Sequence, residues 1–169
     1  TGLDIYLRPV RISDEPLLKD FFYSLSDKSL YRRFFSIRKD MFHERLQPLV
    51  VIDYTKQMTI LAVVDRRYHE NIVGIGQYIM EESTHTAEVA FAVRDEYQNR
   101  GVAMELAAYL VYLVNREGLL GVTADVLPEN EVMLHVFEKM GFSIRRRTKE
   151  GVSKAKLMFE SRESPGKVV

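Results

Sequence analysis

Glu88-Val89-Ala90-Phe91-Ala92-Val93-Arg94-Asp95-Glu96-Tyr97-Gln98-Asn99-Arg100-Gly101-Val102-Ala103 reads as an apolar strand that runs into a glycine-containing turn and then opens a long helix. A helix start leaves its first N–H groups without intrahelical partners, and Gly101 with the small Ala103 keeps side-chain bulk away from them. The layout therefore builds a site for a phosphate-bearing ligand, with a carboxylate, Glu88, upstream in the strand. Other nucleotide cradles fit poorly. A Walker loop needs a Gly-Lys-Ser/Thr end, and a dinucleotide fingerprint needs a further glycine or alanine three residues after the second.

Working outward, Ile5 to Pro9 alternates as a first strand, and Ser13-Asp14-Glu15-Pro16 supplies an N-cap and first turn for a helix to about Leu25. A second helix is expected from Ser26-Asp27 through Leu30, Tyr31, Phe34 and Phe35, and a third from Asp40 to Leu49. Met58 to Asp65 and Ile72 to Met80 read as an antiparallel hairpin, followed by the strand Thr86 to Val93. The helix from about Gly101 to Glu117 has a near-continuous apolar surface that predicts burial on most sides, with Gly118 and Gly121 closing it. Val122 to Leu127 is a strand, Asn130 to Met140 a helix ended by Gly141, and Phe142 to Thr148 with Ala155 to Phe159 a final hairpin. This order predicts one α/β domain over residues 1–160, a mixed sheet flanked by helices, with 161–169 a polar tail expected to be disordered.

Composition narrows the function classes. With 169 residues, 46% apolar and 28% charged, the chain is expected to be a globular protein that buries roughly 70% of its unfolded surface. Its 24 basic and 24 acidic residues cancel, whereas a nucleic-acid binder normally shows a basic excess; Arg145-Arg146-Arg147 is the one local patch, read as a solvated hairpin edge. Zero cysteines exclude disulfides, thiolate metal sites and a cysteine nucleophile. His43, His69, His85 and His135 lack close ligand spacing, so no metal is expected. No run of about 18 apolar residues exists and no signal-peptide layout opens the chain, so no membrane partner and a cytoplasmic location are expected. The start at Thr1-Gly2 and the polar end make attachment to a larger multidomain chain a further expectation.

Ala87 to Val93 followed by Gln98-Asn99-Arg100-Gly101-Val102-Ala103 resembles the acetyl-coenzyme A motif of the GNAT N-acetyltransferase superfamily, Gln/Arg-x-x-Gly-x-Gly/Ala. Asn130 with Phe137-Glu138-Lys139-Met140-Gly141-Phe142 resembles the superfamily's C-terminal motif. The opening, Leu7-Arg8-Pro9 through Asp14-Glu15-Pro16-Leu17-Leu18 to Tyr31-Arg32-Arg33-Phe34-Phe35, is similar to the acetyltransferase domain of Pat-type bacterial protein-lysine acetyltransferases. The resemblance implies a GNAT-like α/β (α+β) fold, a mixed, mostly antiparallel twisted sheet flanked by helices. It implies acetyl-coenzyme A (acetyl-CoA) as co-substrate and direct transfer to an amine, with protein lysine favoured as acceptor. By position, the backbone amides of Gln98, Asn99, Arg100, Gly101, Val102, Ala103 and Met104 would bind the pyrophosphate. The exposed backbone of Phe91, Ala92 and Val93 would pair with the pantetheine arm like an added strand, and Asn130 would reach the cofactor by its side-chain amide.

Alternation puts Glu88 on one side of its strand with Ala90 and Ala92, two small residues that leave room for a substrate. A strand carboxylate can equally be a solvent-facing residue; the resemblance assigns this position to the general base. The chemistry needs one, since freeing the lone pair of a lysine amine at pH 7 costs about 4.6 kcal/mol. Where many superfamily members carry a tyrosine acid, this chain has Phe137, expected to pack against the cofactor or the core. Tyr97 is near in sequence, and Tyr109 and Tyr112 fall on the apolar helix, where core packing is expected. Arg32 and Arg33 have two readings, a solvated helix face or a substrate lip. Two alternatives to the protein-lysine reading stay open: a small-molecule amine acetyltransferase, and a non-catalytic acetyl-CoA sensor within a larger protein.

Overall fold

The structure, a computed structural model, describes residues 4–29, 50, 56–66, 69–146 and 151–160. The segment Tyr31 to Phe35, the expected third helix, His43, Arg147 and the polar tail lie outside the described residues. Strand β1 (Ile5–Pro9) leads through a short 3-10 turn (Ile12–Asp14) into helix α1 (Glu15–Ser24). Strands β2 (Gln57–Arg66), β3 (His69–Glu81) and β4 (Thr86–Val93) follow as antiparallel neighbours. A second 3-10 turn (Asp95–Tyr97) precedes helix α2 (Val102–Arg116), strand β5 (Gly121–Val126) and helix α3 (Glu131–Lys139). Strands β6 (Ser143–Arg145) and β7 (Ser153–Met158) finish a seven-stranded sheet ordered β1-β2-β3-β4-β5-β7-β6. Every pairing is antiparallel except β4 with β5, so the expected mixed, mostly antiparallel sheet is present.

Alternation along the strands divides the core between two faces. Leu61, Val63, Ile75 and Ala92 pack under Leu18, Phe21 and Phe22 of α1. Ile60, Ala62, Val89 and Val93 face the other way, against Val102, Leu106, Leu110 and Val114 of α2 and Leu134 and Phe137 of α3. Each such fully buried side chain contributes about 1.5–3 kcal/mol. Helix α2 lies close on β3 because Gly76 has no side chain: a Cβ there would stand 3.0 Å from Leu110 and 3.2 Å from the Phe91 ring.

Three local expectations need correction. Helix α2 buries a single stripe rather than most of its surface. Tyr109 and Tyr112 are 37% and 56% exposed and stack on each other at 6.3 Å instead of entering the core. The sheet covers one side of α2, and the 3.6-residue repeat turns both tyrosines away from it. Asp14 occupies the N-cap position of α1, but its carboxylate makes no cap bond. It accepts from Arg8 at 2.8 and 2.7 Å and from the Arg11 backbone N–H at 2.7 Å. Gly118, with φ 81°, follows the end of α2 as expected, whereas Gly121 is the first residue of β5.

Candidate active site

The decisive feature is how little of β4 pairs with β5. Only Ala87 with Val122 and Glu88 with Thr123 are in register; beyond them the two strands separate. On its other side β4 stays paired with β3 as far as Val93. The edge of β4 from Val89 onward therefore faces a gap instead of a partner strand. A cavity of about 850 Å³ fills that gap, walled by β4, the 98–104 turn, β5 and α3.

Every site residue expected from the sequence lines this cavity except Arg100. Glu88 is exposed and stands at the fork itself, at the last registered position. Phe91, Ala92 and Val93 form the β4 wall. Arg100 is exposed and lays its guanidinium over the Tyr97 ring, 5.6 Å from the centroid. Tyr97 is buried and lines the cavity too.

The turn is set by two left-handed residues, Asn99 at φ 60° and Gly101 at φ 85°. A Cβ on Gly101 would meet nothing within 4 Å, so the backbone angle calls for glycine there and the turn stays open. Helix α2 begins immediately afterwards, and the N–H groups of Val102, Ala103 and Met104 precede its first intrahelical bond, Glu105 N–H to Gly101 carbonyl at 3.0 Å. These donors at the positive end of a helix dipole suit a pyrophosphate. The open β4 edge suits the amides of a pantetheine arm. The residues present thus fit acetyl-CoA.

Gln98 takes a different part from the backbone donor its place in the motif implies, because its N–H is spent on the Asp95 carbonyl at 3.2 Å. Its side-chain amide nitrogen donates to the Val93 carbonyl at 3.0 Å and to Ser29 Oγ at 2.9 Å, bracing the turn against the strand end and the chain after α1. Asp95 belongs to the same brace, accepting from the Ser26 N–H at 3.2 Å. Burial opposes its charge, but bonds from Ser26 and from the Ser29 hydroxyl outweigh that and hold the carboxyl below its usual range. Asn130 is also partly committed: Oδ1 accepts from the Met133 N–H at 3.3 Å as the N-cap of α3, so the NH₂ group is what it can offer the cavity. Phe137 is 1% exposed, with ring centroids of Phe142 at 4.8 Å and Phe91 at 6.0 Å, and it lines the cavity from the core.

Sequence reasoning missed Ser29 and Asp125, both cavity-lining. Ser29 is 69 positions from the glutamine it contacts, beyond any local pattern. Asp125 had a usable signal, since it falls two residues after Thr123 and so on the same side of its strand. Among the described residues no cluster of three or more metal-ligating side chains occurs, and no helix is long and apolar enough to cross a membrane.

Comparison with known proteins agrees with this geometry. Residues 4–143 match the family described as acetyltransferase (GNAT) domain. The chain is 32% identical over 142 residues to acetyltransferase Pat of Mycolicibacterium smegmatis, which covers 83% of this chain and 42% of that protein. It therefore spans less than half the length of that relative. The crystal structure of the GNAT domain of S. lividans PAT superposes with a TM-score of 0.82 at 25% identity, covering 90% of this chain and 89% of that one. Spermidine N-acetyltransferase from Vibrio cholerae, solved with CoA and spermine, shares the fold at a TM-score of 0.73 and 16% identity, over 91% and 95% of the two chains. On the family match and the Pat similarity, with which the forked sheet agrees, the chain belongs to the GNAT acetyltransferase family.

Proposed function

We propose that this domain acetylates lysine side chains of proteins by direct transfer, with Glu88 as general base. The observation that carries the reading is the position of Glu88 at the fork, where the sheet opens into the cavity and a carboxylate meets whatever enters from outside. Similarity to Pat supports it. When bound, acetyl-CoA supplies an already activated thioester. The backbone N–H groups of residues 99–104 would hold its phosphates, the β4 edge at Phe91 to Val93 would align the pantetheine, and the Asn130 amide would steady the arm. Glu88 would accept a proton from the acceptor ammonium, directly or through one water, and the β4 N–H groups would be the donors available to the carbonyl oxygen where negative charge develops. With no cysteine in the chain, the acetyl group would pass straight to the amine: the C–N bond forms, the thioester C–S bond breaks, and the coenzyme A thiolate leaves and takes its proton from solvent. The setting proposed is cytoplasmic protein acetylation, with the domain part of a larger chain.

Glu88→Gln tests the assignment. Calorimetry is expected to give the wild-type acetyl-CoA affinity while kcat falls about 10²–10⁴-fold, the range for losing a general base. An unchanged kcat would falsify Glu88 as the base. Specificity constants for lysine peptides against polyamines and other free amines separate the acceptor classes, and faster turnover of free amines would replace the protein-lysine reading with a small-molecule one. One observation favours a second reading, a non-catalytic acetyl-CoA sensor: Phe137, at the usual tyrosine position, has no proton to give a leaving thiolate. Acetyl-CoA binding without transfer to any amine would establish that reading.

A further inference from the structure

Cross-strand registers place Ile79, Glu88, Thr123, Lys156 and Ser143 in one row, so they share a face of the sheet. Two residues along each strand, the same face carries Ala90, Asp125, Lys154 and Arg145. This is the α1 side, as Leu61, Ile75 and Ala92 under α1 confirm. Two bands of charge therefore lie side by side on it. The carboxylates of Glu88 and Asp125 flank the fork, and beside them the exposed side chains of Lys156, Lys154 and Arg145 form a basic strip on β7 and β6.

The strip concentrates like charge. Arg145 and Lys154 stand directly opposite each other, an arrangement of like charges that destabilises a strand pair. Lys154 lies 3.6 Å from Asp125, a contact between half-exposed groups. Arg145 and Lys156 make no ion pair among the described residues. The neighbouring Arg146 shows the contrast. It points to the opposite face and binds Glu131 at 3.1 Å and Glu138 at 3.3 Å on α3. One arginine of the pair is satisfied inside the fold, and the other is left facing the side where Glu88 stands.

We infer that Arg145, Lys154 and Lys156 form a docking strip for acidic residues flanking the acceptor lysine. The inference rests on the protein-lysine reading above and names its substrate class. Strands lie about 4.8 Å apart, so Lys156, two strands from Glu88, is about 10 Å away, which three residues of extended peptide span at about 3.3 Å each. A lysine delivered to Glu88 in an extended segment thus places residues two to four positions away over the strip. Nucleic acid fits less well, because the chain's 24 basic and 24 acidic residues cancel and three cations make a short footprint for a polyphosphate backbone.

The test uses lysine peptides of equal length whose flanking positions are Asp and Glu, or Gln, or Lys. At 50 mM salt the acidic set is expected to exceed the Gln set in kcat/KM by about tenfold, and this ratio should shrink toward unity at 500 mM salt as screening sets in. Arg145→Glu with Lys156→Glu should invert the preference toward Lys-flanked peptides; Arg145→Gln with Lys156→Gln should reduce the ratio below about threefold. Melting curves and acetyl-CoA calorimetry verify that each variant is folded, and the salt series on the unmutated protein stands without them. A wild-type ratio within twofold of unity, or one that persists in the reversed variant, overturns the strip and leaves the protein-lysine reading intact. No transfer to any peptide overturns both. Saturable binding of a single-stranded oligonucleotide, lost in the reversed variant and accompanied by no peptide preference, assigns the strip to nucleic acid and overturns the inference.

Discussion

Phe137 contributes no proton, but its surroundings explain why a large ring is needed there. It sits between Phe142 and Phe91, joining α3 to the β4 wall of the cavity. Phe137→Ala is expected to cost about 3–5 kcal/mol in urea unfolding and to loosen acetyl-CoA binding. Gly101→Ala acts through a different cause. The space is open, so the cost is the left-handed backbone, about 1 kcal/mol, together with a weaker acetyl-CoA Kd as the turn shifts. Glu88 and Gly101 were legible in the sequence because strand, turn and helix follow one another within sixteen residues. The bonds of Gln98 to Ser29 and of Asp14 to Arg8 were not. A hydrogen-bonding side chain announces that it needs a partner, not which one it finds.

At the scale of elements, β1, the turn before α1 and the start of β3 are fastened by one buried guanidinium. Arg8 donates to Asp14 at 2.8 and 2.7 Å and to Glu70 at 3.0 and 2.8 Å. Burial works against the Asp14 charge, but the Arg8 bonds and the Arg11 N–H overcome it, holding the carboxyl below the ordinary 3.8. The stabilisation is complete above the unfolded value of 3.8 and is lost as pH falls through the lower folded value. Asp14→Asn is expected to cost about 3 kcal/mol at pH 7, the low end for breaking a buried pair because Glu70 still faces Arg8. In urea titrations the gap between variant and wild type should narrow below pH 3.8. Gly121 shows an element boundary whose reason the sequence hid. It read as the close of α2, whereas a Cβ there would stand 2.5 Å from the Leu157 carbonyl oxygen on β7. Gly121→Ala is therefore expected to destabilise by about 1–3 kcal/mol, measured as a lower urea midpoint.

Over the whole molecule, the order of strands and helices could be read from periodicity and turn residues, and the sheet's mixed character followed from it. The separation of β4 from β5 could not, since no residue type marks where two strands stop pairing. The same holds for the basic strip, which exists only because β7 inserts between β5 and β6. Acetyl-CoA at about 100 times its Kd should add about 2.7 kcal/mol of stability, a rise of about 5–10 °C in Tm for a chain of this size. CoA lacking its acetyl group should give a similar shift, because the contacts proposed above are to the phosphates and pantetheine.

Because β4 and β5 are registered at two positions only, the backbone ladder has a hinge at its middle. Strands β1 to β4 lie on one side of it and β5 to β7 on the other, held together on the α2 and α3 face by the shared core. An elongated ligand laid in the opening would act as a removable eighth strand, supplying the pairing that β5 withholds from β4. Glu88 sits at the registered end of that opening, so the ladder holds its spacing to the basic strip with or without the guest.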